Sequence, residues 1–182
     1  VKSFRSYLWP NVTAQNARAH SISVDEAGYL YIQGGNTTSG TGGQGGGVRI
    51  LNLANPAAPA VASVFNARYV HDSYTHKNLL FNSNIQDGGR VDVVDVADRA
   101  NPKFVTAITY PNGASHNSGT TKDGNYLITT DESSDITVKI WDIRVLWDND
   151  PNNNSNIELV AEIPVPAGSI AHNVHVRGDY AF

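Results

Sequence analysis

The sequence predicts an all-β fold assembled from repeated four-stranded antiparallel units, and three observations carry that prediction. A histidine leads a short β-prone run four times, at His20, His71, His116 and His172, with intervals of 51, 45 and 56 residues. Each histidine is followed by a turn and an aromatic or aliphatic strand, then by an alternating strand that ends in a polar turn. The composition agrees: only 16% of the 182 residues are charged, Gly (16) and Pro (8) are frequent, and Val, Ile, Thr and Tyr dominate the patterned stretches. A period of roughly 40 to 50 residues is that of a propeller blade. The predicted architecture is therefore a β-propeller of four-stranded antiparallel blades, with about three and a half blades present.

The elements follow in order. Residues 1–19 read as the end of a preceding blade. The blade at 20–65 has expected strands at 21–25, 29–34, 47–53 and 60–65, each bounded by Gly, Asn or Pro. Blade 71–110 repeats the pattern, with its third strand at 90–96 and its fourth at 103–109. A third blade occupies 116–164, and 172–182 begins a further one, reaching only its second strand. Asn55-Pro56 and Asn101-Pro102 stop strands, because Pro cannot donate to a ladder and Asn tolerates turn dihedrals. Asn52, Asp95 and Asp142 hold the same place in successive blades, where a short polar side chain caps the turn's N–H groups. The glycine-rich stretch 37–47 reads as a surface loop, since no helix N-terminus or phosphate-binding lysine follows it. The polar stretch 148–156 lacks the spacing and terminal glutamate of an EF-hand and reads as a solvated connection. All segments form one propeller domain. Propellers close with about 4 to 8 blades, so the chain is expected to be an excerpt of a longer protein, its remaining blades supplied by the parent chain or another subunit.

Several function classes are excluded or disfavoured. The net charge is −4 and no two Lys or Arg residues are adjacent, so nucleic acid is not an expected partner. With no Cys, disulfides, thiolate nucleophiles and Cys-ligated metals are ruled out. No apolar stretch approaches the roughly 20 residues of a membrane-spanning helix, so no transmembrane segment is expected in this sequence. The G-x-S-x-G elbow of hydrolases is missing as well.

The strings GGVRILNLANP, GGRVDVVDVADRANP, DGNYLITTDE, VKIWDIR and NIELVAEIPVPAGSIAHNVHV, from about residue 19 to 182, closely resemble the LVIVD-repeat propellers, and among them the choice-of-anchor B type. Val91-Asp92-Val93-Val94-Asp95 and Lys139-Ile140-Trp141-Asp142 are this chain's versions of the repeat. The resemblance implies a bacterial protein that is secreted or held at the cell surface. It implies no settled activity, so function must be argued from the site.

On a propeller template the first strand of each blade lines the channel, which would bring His20, His71, His116 and His172 to one mouth, with Asn36, Asn84, Asp131 and Glu132 near the same rim. Imidazoles from neighbouring blades, closed by a carboxylate, suit a transition metal such as zinc, copper or iron, with calcium a further candidate. The competing reading makes each histidine a packing device whose ring nitrogens bond to backbone or to a neighbouring blade. His76 and His175 are weaker candidates; His175 lies three residues beyond His172, on the opposite face if the segment is a strand. Asp72 would cap a turn or orient His71. Asp131 and Glu132, adjacent on a strand, should point apart. The sequence thus favours a non-catalytic binding or scaffold module that takes a protein or small ligand at the channel face. The alternative is a metal-dependent enzyme with a histidine-lined site.

Overall fold

In the computed structural model, residues 19–35 and 46–182 are described. The expected end of a preceding blade, Asn36 and most of the glycine-rich loop lie outside them. Three four-stranded antiparallel sheets follow one another, each in simple sequential order. The first comprises β1 (Ser21–Val24), β2 (Tyr29–Gln33), β3 (Val48–Asn52) and β4 (Ala60–Phe65); the second β5 (Asp72–His76), β6 (Leu79–Ser83), β7 (Gly89–Asp95) and β8 (Lys103–Tyr110). The third contains β9 (Ser115–Thr120), β10 (Tyr126–Asp131), β11 (Val138–Asp142) and β12 (Glu158–Ile163), and a two-stranded piece, β13 (Val176–Arg177) with β14 (Tyr180–Ala181), follows it. The helical content of the described residues is three 3-10 turns of three or four residues, and none is long and apolar enough to cross a membrane. These sheets are the blades of a β-propeller.

The same local chemistry recurs in each blade. In VRILN, VDVVD and VKIWD, the third strand shifts register against the fourth at the same point, after its third residue from Val. Such a bulge adds twist. Asn52, Asp95 and Asp142 each accept a hydrogen bond from the N–H two residues on, at 2.7, 2.7 and 3.1 Å. The turn is closed by the side chain that the pattern repeats.

Sheets pack face to face through the two sides of β6. Leu79 and Phe81 turn toward the third blade, joining Val91, Val93, Ile108, Tyr110, Leu127, Trp141 and Ile143 in one buried cluster. Leu80 turns the other way, toward Tyr31, Val48, Ile50 and Val70 of the first blade and its exit. Both clusters are apolar side chains removed from water, at roughly 1.5–3 kcal/mol for each fully buried large side chain. A polar belt stitches the blades together near the axis. The residue after each of the first three leading histidines supplies it, with a backbone N–H two residues past the fourth: Ser21 Oγ donates to Asp72 Oδ1 at 2.8 Å, Asn117 Nδ2 donates to Asp72 Oδ2 at 2.6 Å, and the Val174 N–H donates to Asn117 Oδ1 at 3.1 Å. Asp72 therefore neither caps a turn nor orients His71. It ties three blades together.

Candidate metal centre

His20 and His71 stand just ahead of β1 and β5, held by their own N–H groups bonding to the carbonyls of Gln33 (2.8 Å) and Ser83 (2.9 Å). At Gly34, φ is +69°, and a Cβ there would lie 2.2 Å from the His20 Cβ. Only glycine lets the end of β2 come this close. His116 differs: β9 starts at Ser115, ahead of the histidine and not after it, and its pairing skips from Asn117↔Thr130 to Ser115↔Asp131. His116 is thus the extra residue of a β-bulge, a device that re-aims a side chain. His172 lies in an irregular stretch, with its carbonyl bonded by Thr130 Oγ1 at 2.9 Å.

The four imidazoles meet in blade order. Ring centroids are 3.7 Å apart for His20–His71, 4.6 Å for His71–His116 and 3.8 Å for His116–His172. Glu132 faces three of them. Its Oε2 lies 3.6 Å from His71 Nε2 and 3.8 Å from His116 Nε2, and its Oε1 lies 3.7 Å from His172 Nε2. Two sets of potential ligand atoms lie within 4.8 Å of one another: His20, His71 and His116; and His116, Glu132 and His172.

Burial sets the electrostatics. His71 and His116 are buried, whereas His20, Glu132 and His172 reach solvent. Burial, reinforced by His20 and His116, lowers the pKa of His71 to about 4. His116 is lowered by burial and by His172, with Glu132 and the nearby His172 backbone pulling the other way. Both are therefore neutral at pH 7, the form that coordinates metals. His71 Nε2 and both ring nitrogens of His116 are buried with no partner at normal hydrogen-bond geometry, although the His172 backbone stands close enough to His116 to favour its protonated form. Leaving a buried polar atom unpaired costs about 1–3 kcal/mol, so such atoms in a well-formed site point to a missing partner.

Asp131 is not brought to the histidines. Its carboxylate accepts from the Ala114 N–H (2.6 Å) and Tyr110 Oη (3.1 Å), with Lys139 Nζ at 3.7 Å. Asp131 is the last residue of β10 and Glu132 lies just past it, so the pair is not on one strand as expected, and Glu132 alone turns to the mouth. Asn84 directly follows β6 and is fully buried, with both amide atoms unpartnered. His76 closes β5 at the end opposite His71, so it is remote from the site. The stretch containing His172 and His175 is not a strand, because β13 begins only at Val176, and the opposite-face expectation for His175 has no strand to rest on. Sequence reasoning missed Tyr69, whose hydroxyl lies 3.4 Å from His71 Nδ1. Burial and the Glu132 charge raise its pKa. Its spacing of two residues from a leading histidine is not repeated in the other blades, so no periodicity pointed to it.

No family model and no curated protein matches the chain. Among solved structures, it is similar to a Bacteroides uniformis protein provisionally described as a 6-phosphogluconolactonase (TM-score 0.61, 13% identity, covering 85% of this chain and 46% of that one). It is also similar to Sqt1 of Saccharomyces cerevisiae (TM-score 0.56, 12% identity, 84% and 36% covered). The chain spans less than half the length of either. At such identities the likeness shows the fold alone, and both are of the β-propeller type.

Proposed function

We propose that this chain is a propeller binding module whose histidine mouth holds a transition metal. The observation that carries the reading is the set of buried, unpartnered nitrogens on His71 and His116, facing a carboxylate at 3.6 and 3.8 Å. A packing role for the histidines calls for those nitrogens to be bonded at normal distance, whereas Glu132 stands at 3.6 and 3.8 Å and only His116 has a further neighbour, the His172 backbone. The donor set is nitrogen-rich with one carboxylate, which favours zinc, copper or iron; calcium takes six to eight oxygens and fits poorly. The LVIVD resemblance supports placing the protein outside the cell or on its surface. The exposed flank made by His20, Glu132 and His172 gives the metal an open side for a ligand, which is the feature favouring the second reading, a metal-dependent enzyme.

The test is metal-dependent stability. Zinc added at 100 times its dissociation constant should stabilise the protein by about 2.7 kcal/mol, read as a rise in melting temperature. His71→Ala and His116→Ala should abolish most of that rise. A melting curve that zinc, copper and iron all leave unmoved would sink the proposal.

A further inference from the structure

We propose that the mouth binds two metal ions, with Glu132 bridging them. This rests on the metal-binding reading above and adds the number of ions and the bridging ligand. The imidazoles form a row: His20 packs at a tilt on His71, His71 meets His116 and His116 packs at a tilt on His172. One tetrahedral ion at about 2.0–2.1 Å from each nitrogen needs donors on the order of 3.3 Å apart. No donor set within 4.8 Å among the described residues contains all four rings, so the whole row does not converge on one such ion. It presents two overlapping donor sets instead, and His116 belongs to both.

His116 and Glu132 are each equipped to be shared. His116 carries two buried nitrogens, neither with a partner at normal hydrogen-bond geometry. Glu132 divides its oxygens, with Oε2 toward His71 and His116 and Oε1 toward His172. A carboxylate with its two oxygens facing different donor sets is placed to bridge, and bridged ions typically lie about 3.5–4 Å apart. The first ion takes His20 and His71, with Glu132 Oε2 reaching it from the His71 side; the second takes His172 and Glu132 Oε1. His116 completes either. Both positions abut the exposed flank, which leaves coordination sites for water or for an oxygen-donor ligand spanning the pair.

The experiment is equilibrium dialysis of the purified protein against zinc and, separately, copper(II), with the bound metal counted per chain by elemental analysis. The expected count is two in the parent. It should fall to one in His20→Ala and in His172→Ala, which remove the exposed ends of the row and disturb the fold least. Glu132→Gln should weaken the second equivalent at least tenfold. Copper-loaded parent should show the paramagnetic resonance of two coupled spins, and each end variant that of an isolated ion. A parent count of one overturns the pair while leaving the single-metal reading standing, and a count of zero overturns both. A second equivalent that survives both end variants is adventitious and also overturns the pair.

Discussion

Two sets of polar residues repeat along this chain with similar regularity, and the structure treats them in opposite ways. At the end of each third strand, Asn52, Asp95 and Asp142 close their turns with bonds of 2.7, 2.7 and 3.1 Å to backbone N–H groups. At the axis, neighbours in the series His20, His71, His116 and His172 touch one another instead, and the two buried ones keep nitrogens with no partner at normal hydrogen-bond geometry, Glu132 lying 3.6 and 3.8 Å away. Repetition marks both sets equally. What separates them is satisfaction: the first set has its partners within the fold, whereas the second is arranged for something the fold does not supply.

Four variants or conditions would break or sharpen this contrast. The largest effect should come from Asp72, which follows His71 yet belongs with the satisfied set. Asp72→Ala removes charge-assisted bonds to Ser21 and Asn117 and to the Ser73 N–H, and should cost about 3–5 kcal/mol in denaturant unfolding. A loss under 1 kcal/mol would show that the belt does not hold the blades. Next comes His116→Ala, expected to weaken zinc binding by at least a hundredfold, about 2.7 kcal/mol. Zinc affinity by competition with a chromophoric chelator reads this directly, and a change within threefold would move His116 into the packing class.

The third effect concerns pH in the metal-free protein. His71 has a folded pKa of about 4 against about 6.5 unfolded, so the unfolded chain binds the proton first. Stability is complete above pH 6.5 and is lost as the pH falls toward 4, by roughly 2–3 kcal/mol from this group. His71→Ala should flatten that part of the profile; an unchanged slope would mean that another group carries it. Smallest is Asp95→Ala, which removes one turn cap and should cost about 1 kcal/mol in melting experiments, with zinc affinity unaltered. Lost zinc affinity in this variant would erase the contrast between the two ends of the blade.

The fold class was legible because strand alternation and turn residues are local signals. Observed strands differ from the expected ones by a residue or so at their ends: β3 is Val48–Asn52 where 47–53 was expected, and β8 runs one residue further, to Tyr110. Those ends depend on ladder bonds that no single residue announces. The site was legible only in part. Periodicity put the histidines at matching positions, but it could not tell Asp131 from Glu132, since the bulge at His116 and the capture of Asp131 by Ala114, Tyr110 and Lys139 are tertiary. Nor could it find the belt through Asp72, whose partners lie 51 and 45 residues away.

The central claim is that the axial histidines are ligands and not packing groups, and their ring nitrogens report this most directly. With histidine labelled at both nitrogens, proton–nitrogen spectra of the imidazoles during a zinc titration should show one nitrogen of His71 and at least one of His116 move to the shift of a metal-bound nitrogen. His76, at the far end of β5, should stay unchanged. Imidazole spectra of His71 and His116 identical with and without zinc would contradict the account.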